Sequence, residues 1–184
     1  MYRFKTEPRE YQRKGLDKAW EKRTFAYYMD MGTGKTKTLL DLFSAYFINT
    51  DIDRVLVVTK LSTKKNWMDE IRIHSPVECD TMALDTSKAK AFEQWNTAVD
   101  GRLKILIVGT ESLAAGNAVN LAQKFVDCST RVGMVVDEAH MIKTHSAVRS
   151  RNCVRLGLSA NYKVIMTGTP VANGPMDVFM QFEF

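Results

Sequence analysis

Two short runs constrain this chain more than anything else in it. Val55-Leu56-Val57-Val58 and Ile105-Leu106-Ile107-Val108 are apolar at every position. A strand with one face in water alternates apolar and polar residues. A strand covered by helices on both sides does not, and that situation belongs to parallel sheets. With these two included, six apolar runs read as strands, over 25–30, 54–59, 79–84, 104–109, 132–136 and 163–167, most of them bounded by Gly, Asp or Thr. Between them, segments 10–22, 35–47, 63–73, 87–99, 118–128 and 146–156 read as helices. This alternation predicts an α/β fold with a mostly parallel central sheet, helices on both faces and right-handed crossovers. In such sheets ligands bind at the carboxyl ends of the strands.

With 184 residues, 45% apolar and 26% charged, the composition is that of a globular domain. One domain over 1–184 is the expectation. No apolar run approaches the roughly 18 residues that span a bilayer, so no membrane partner is expected. The polar N-terminus lacks a secretory pattern. This predicts an intracellular protein, cytoplasmic if bacterial or phage and nuclear if eukaryotic. Cys79, Cys128 and Cys153 form neither a CxxC pair nor an even disulfide set, so they read as three reduced thiols. His74 and His145 have no partner at zinc-ligand spacing. The end of the chain, Met180-Gln181-Phe182-Glu183-Phe184, reads as the middle of an apolar helix, hence as a fragment of something larger.

The net charge of +5 is unevenly spread. No acidic residue falls between Glu138 and Asp177, while Lys143, Arg149, Arg151, Arg155 and Lys163 all do. The first 23 residues hold eight basic and four acidic side chains. Both are candidate phosphate-facing patches. Arg151 and Arg155, four apart on a helix, suit either a phosphate stripe or a solvated face.

Three motifs fall at predicted strand ends. Met31-Gly32-Thr33-Gly34-Lys35-Thr36 follows the first strand and opens a helix. Gly32 and Gly34 let backbone N–H groups approach phosphates, and the helix N-terminus adds positive potential. Lys35 would reach the β- and γ-phosphates and the Thr36 hydroxyl would ligate Mg²⁺. The full GxxxxGK[ST] pattern has Gly where this chain has Met29. Next, Asp137-Glu138-Ala139-His140 closes the fifth strand. Asp137 would hold Mg²⁺, in part through water, and Glu138 would orient and deprotonate an attacking water. His140 could report nucleotide state to a neighbouring loop. Finally, Thr167-Gly168-Thr169-Pro170 ends the sixth strand, with hydroxyls that could bond the DEAH loop.

In order, the chain carries Tyr11-Gln12, GTGKT, Val57-Val58-Thr59-Lys60-Leu61-Ser62 followed by Asn66-Trp67, Gly109-Thr110-Glu111-Ser112-Leu113, DEAH with Lys143, and TGTP with Asn173. This set resembles the first RecA-like lobe of superfamily-two helicases and translocases, and within them the Swi/Snf-like ATPases. The resemblance covers about residues 8–184. It implies a RecA-like P-loop NTPase domain using ATP and Mg²⁺ and acting on nucleic acid, in particular duplex DNA. It also implies a second RecA-like lobe, in the same or another chain, that 1–184 lacks, so that this lobe alone hydrolyses ATP weakly. Residue by residue, Gln12 would read adenine. Gly32, Thr33, Gly34, Lys35, Thr36 and Thr38 would bind nucleotide, with Lys35, Asp137 and Glu138 catalytic. His140, Thr167, Gly168 and Thr169 would couple ATP state to DNA grip. Ser62, Lys64, Lys65, Thr110 and Lys143 would contact nucleic acid. Lys60 stands where the family usually has Pro, and Thr144 where it usually has Asn.

Trp20, Trp67 and Trp95 sit in helix-like segments and read as core anchors rather than base-stacking platforms. Two rival functions stay open: a nucleotide- or DNA-binding module that hydrolyses nothing, and a motor lobe of a restriction enzyme or RNA helicase.

Overall fold

A computed structural model describes residues 2–171 and 174–184; Asn173 lies outside the described residues. Six strands form one sheet: β1 (Thr24–Tyr28), β2 (Arg54–Thr59), β3 (Cys79–Ala83), β4 (Leu103–Gly109), β5 (Val132–Asp137) and β6 (Tyr162–Thr167). Every pairing is parallel, and the order is β1-β6-β5-β2-β4-β3. The connections contain α1 (Glu10–Ala19) before β1, then α2 (Lys35–Ile48), α3 (Lys64–His74), α4 (Ala89–Thr97), α5 (Gly116–Asp127) and α6 (Val148–Gly157), with α7 (Phe179–Glu183) last.

The uniformly apolar runs behave as their composition requires. Along β2, Val55 and Val57 face a core shared with Leu39, Phe43, Trp67 and Ile71, so α2 and α3 cover that face. Leu56 and Val58 face the opposite core with Phe92, Phe125, Cys153 and Leu156, from α4, α5 and α6. Ile105 and Ile107 against Leu106 and Val108 divide in the same way. Every residue of β2 and β4 is buried. Burying one such side chain is worth about 1.5–3 kcal/mol, so these two strands anchor both layers.

Several sequence-derived boundaries shift by one to three residues, and three of the shifts have a visible cause. α1 stops at Ala19 rather than residue 22, because Glu21 takes a left-handed φ of 66°. Trp20 therefore leaves the helix, stacks on Tyr46 with ring centroids 5.3 Å apart and stays 38% exposed. Of the three tryptophans it is the one that is not a core anchor. The fourth helix is preceded by a separate 3-10 turn, Thr86–Lys88, which Asp85 caps by accepting the Ser87 N–H. β1 ends at Tyr28 because Met29 and Asp30 turn their carbonyls toward Lys35. Among the described residues no helix is long and apolar enough to cross a membrane.

Two charged side chains are buried in α2. Lys37 Nζ lies 2.6 Å from Asp41 Oδ2, with the two side chains 7% and 0% exposed. The Tyr2 hydroxyl donates to Asp41 Oδ1 at 3.0 Å, which straps the N-terminal segment onto the helix that carries the glycine-rich loop. Removing one member of a buried pair costs about 3–5 kcal/mol, whereas replacing both with apolar residues is often neutral. Lys37→Met is accordingly expected to lower unfolding free energy by about 3 kcal/mol in urea titrations, and Lys37→Met/Asp41→Leu to recover most of it. Equal losses in the two variants would rule out this account. The thiols also separate by environment. Cys153 is fully buried and burial pushes its thiol up to about 12, burial raises Cys79 as well, and Cys128 is exposed. A disulfide-exchange reagent is expected to titrate Cys128 rapidly in the native protein and the other two only after denaturation.

Candidate functional site

β1 delivers the chain to the carboxyl edge of the sheet, and residues 29–34 form the loop that enters α2. Gly32 and Gly34 take φ of 74° and 75°, a left-handed geometry that only glycine adopts without strain. Gly34 caps α2, whose first N–H groups have no partner within the helix and make its positive end. Thr33 Oγ1 donates to the Asp30 carbonyl at 2.7 Å. Lys35 Nζ donates to the carbonyls of Met29 (2.9 Å) and Asp30 (3.0 Å). Both acceptors are neutral, so the ammonium's charge stays available to an anion. Thr36 follows in the first turn. Thr38 departs from expectation: it is wholly buried and its hydroxyl donates back to the Gly34 carbonyl, so it braces the loop from inside and has no surface for a nucleotide.

Gln12 staples this loop to α1. Its Oε1 accepts the Arg9 N–H at 2.9 Å, capping the helix start, and its Nε2 donates to the Thr33 carbonyl at 2.9 Å. It lies beside a cleft of about 280 Å³ that Arg9, Tyr11, Gly34, Glu70 and His74 also line. The cleft adjoins the phosphate loop, and both ends of the Gln12 amide are already engaged within the protein.

The second half of the site comes from strand order. β6 lies between β1 and β5, pairing Tyr28 with Thr167 and Met166 with Asp137. On the other flank of β5, β2 aligns Val58 with Val136 and so sets Thr59 beside Asp137. Asp137 Oδ2 accepts from Thr59 Oγ1 at 2.9 Å and from the Trp67 indole Nε1 at 2.8 Å, and Oδ1 accepts the Glu138 N–H. Glu138 sits at φ 52°, ψ 55°, a strained conformation for a residue with a side chain and one that gathers at functional sites. Its buried Oε2 has no aligned hydrogen-bond donor, although His140 Nδ1 is 3.2 Å away, close enough for ion pairing if the ring is protonated. His140 Nδ1 is also 3.3 Å from Thr167 Oγ1, which accepts the Thr169 N–H at 3.1 Å. A Cβ added at Gly168 would lie 3.5 Å from both the Met29 carbonyl oxygen and the Met31 nitrogen, which sets this glycine beside the glycine-rich loop. The TGTP loop therefore touches both the glycine-rich loop and the DEAH loop.

A divalent cation would find little protein cage here, since no cluster of three or more His, Cys, Asp or Glu is assembled among the described residues. One carboxylate and one hydroxyl fit Mg²⁺, which keeps several waters and leans on substrate phosphates.

The expected nucleic-acid residues are less uniform. Ser62 and Lys65 are exposed beside the turn Leu61–Thr63. Lys64 folds inward and donates to the Leu84 carbonyl, and burial lowers its pKa. Lys143 faces Asp177 at 3.5 Å. Thr110 corrects the expectation: it has no exposed surface and its hydroxyl donates to the Thr59 carbonyl, because it is spent joining the ends of β2 and β4. Glu111 does similar work, accepting the Leu61 N–H at 3.0 Å. Sequence reasoning missed Thr59 and took Trp67 only as a core anchor. The signal available was a hydroxyl at a strand end and an indole whose N–H needs a partner once buried. At the opposite end of the sheet, a cleft of about 360 Å³ has its charged side chains engaged, Arg131 with Asp53, Arg102 with Asp100 and Arg54 with Asn96.

A glycine-rich loop on a helix N-terminus, an acidic pair two strands away and a hydroxyl loop between them define a P-loop nucleotide site. The chain belongs to the SNF2-related domain family, whose model matches residues 28–184. It is 27% identical over 156 residues to the ATP-dependent helicase FUN30 of Saccharomyces cerevisiae, covering 84% of this chain and 13% of that protein. It is 30% identical over 156 residues to the ISWI chromatin-remodeling complex ATPase CHR17 of Arabidopsis thaliana, covering 84% of this chain and 14% of the other. In structure it resembles the Sulfolobus solfataricus SWI2/SNF2 ATPase core in complex with dsDNA, with a TM-score of 0.70, 25% identity, and coverage of 97% of this chain and 36% of that one. The chain thus spans a small part of its relatives' lengths.

The two glycines of the loop predict different outcomes. At Gly34 an added Cβ would lie 2.4 Å from Gln12 Nε2, whereas at Gly32 it would meet nothing within 4 Å. Gly32→Ala should cost only backbone strain of about 1 kcal/mol. Gly34→Ala adds the clash and is expected to weaken binding of a fluorescent ATP analogue by about tenfold more than Gly32→Ala, since each 1.4 kcal/mol is tenfold. Equal affinities for the two variants would count against the described loop geometry.

Proposed function

We propose that this chain is the ATP-binding lobe of a DNA-dependent ATPase that couples hydrolysis to movement along duplex DNA. One observation carries the reading: the order β1-β6-β5 brings the glycine-rich loop, Thr167 and the Asp137–Glu138 pair to one edge, joined through His140. When bound, Mg²⁺ offsets negative charge on the phosphates. The α2 N-terminus and Lys35 hold the phosphates. Thr36 and Asp137 are the residues that would hold the ion. Glu138, its Oε2 lacking an aligned donor, orients the attacking water and takes its proton. His140 and Thr167 carry the state of that carboxylate to Gly168 and Thr169.

The exposed Ser62 and Lys65 lie at the same carboxyl edge and are the nucleic-acid contacts of this reading. Family membership and the likeness to an ATPase core solved with dsDNA support duplex DNA as the partner. The reading includes a second RecA-like lobe supplying arginine fingers, groups worth about 10³–10⁵ in rate, so this lobe alone turns over slowly.

The test is ATP hydrolysis by this chain with and without duplex DNA. Lys35→Ala is expected to abolish nucleotide binding. Glu138→Gln is expected to retain binding and lose about 10²–10⁴ in turnover. Salt-sensitive DNA binding that ignores ATP and survives Glu138→Gln unchanged would identify a non-hydrolysing module instead.

A further inference from the structure

The Trp67 indole is buried in the α2/α3 core, 2% exposed, yet its one polar atom points at the site. Packing alone asks for a large apolar side chain. It does not ask for an N–H, which must find an acceptor once buried. Here the acceptor is Asp137 Oδ2 at 2.8 Å, which also takes the Thr59 hydroxyl at 2.9 Å, while Oδ1 takes the Glu138 N–H at 3.0 Å. An ionised carboxylate offers roughly four lone-pair positions. Three are committed, and the remaining one is on Oδ1.

The donors also tie the carboxylate to α3. Trp67 lies one turn into that helix, and Thr63, at its start, has its hydroxyl 2.8 Å from that of Thr59. Exposed Ser62 and Lys65 flank the same turn. A displacement of the start of α3 therefore moves Trp67 directly and disturbs the Thr63 contact to the Thr59 hydroxyl, whose backbone belongs to β2.

We propose that Trp67 is a positioning residue of the nucleotide site: its indole N–H, with the Thr59 hydroxyl, fixes Asp137 through Oδ2 so that Oδ1 keeps a lone-pair position for a ligand, and makes that orientation follow the seating of α3. The inference rests on the reading of Asp137 as the metal-side carboxylate. Outer-shell partners of metal ligands commonly matter by about 10–100-fold in metal affinity.

The test removes the donor and keeps the shape. In a Trp20→Phe/Trp95→Phe background, Trp67→benzothienylalanine replaces the indole N–H with sulfur at nearly constant volume, and Thr59→Val removes the other donor. Mn²⁺ binding in the presence of ATP, followed by electron paramagnetic resonance, is expected to weaken about tenfold in each. ATP affinity measured in EDTA should stay within about twofold, since the phosphate loop is untouched. Unchanged Mn²⁺ affinity would overturn the proposal, and so would a parallel loss of metal-free ATP affinity, which marks general damage. A second measurement needs no change at position 67: Asp137→Asn should move the Trp67 indole N–H resonance and leave that of Trp20 in place, and a stationary Trp67 resonance would overturn the proposal. If the background chain binds ATP with no gain from Mn²⁺, the metal reading of Asp137 itself fails. If it gains from Mn²⁺ while the sulfur analogue matches it, only the role of Trp67 fails.

Discussion

A parallel sheet buried on both faces leaves its strand ends as the place for chemistry. That constraint organises this molecule. β2 and β4 are covered on both sides, so neither can present a polar group except at an end. Their backbone groups are satisfied laterally by neighbours, and the polar side chains that matter cluster where the strands stop: Thr59, Thr110, Asp137 and Thr167. The glycine-rich loop joins them because β1 is pinned at the same edge through β6.

Within that edge, Asp137 is the junction. Its carboxylate is held by β2 through Thr59, by α3 through Trp67 and by its own loop through the Glu138 N–H. Glu138 is held differently, on a strained left-handed backbone with one oxygen lacking an aligned donor. Adjacent residues thus receive opposite treatment. One is immobilised by donors and suited to holding charge in place. The other keeps an uncommitted oxygen, as a group that accepts a proton must. His140 and Thr167 connect the second to the TGTP loop.

Much of this was legible from residue types. Runs such as Val55–Val58 need two-sided burial, and GTGKT after a strand needs a helix behind it, so fold class and phosphate loop followed without coordinates. The residues that went astray share a cause. Thr38 and Thr110 look like surface hydroxyls in one dimension but are buried, each bonded to a backbone carbonyl. Lys64 looks like a surface cation and is folded onto Leu84. Trp20 fits a helical pattern and instead follows its end. Whether a hydroxyl or ammonium faces solvent depends on which carbonyl the neighbouring strand offers, and strand order is a long-range property.

By itself the sequence determined the local chemistry: which segments must be strands, where a backbone can turn left-handed at Gly32 and Gly34, and which carboxylates end a strand. Those follow from side-chain size, polarity and backbone sterics over a few residues. Only the tertiary structure decided that Thr59 and Thr167 flank Asp137, that Gln12 clasps Thr33, and that Trp67, 70 positions from Asp137 in the chain, donates to it. The contacts to Asp137 exist because β5 and β6 insert between β1 and β2, an order set by the joint packing of helices on both faces.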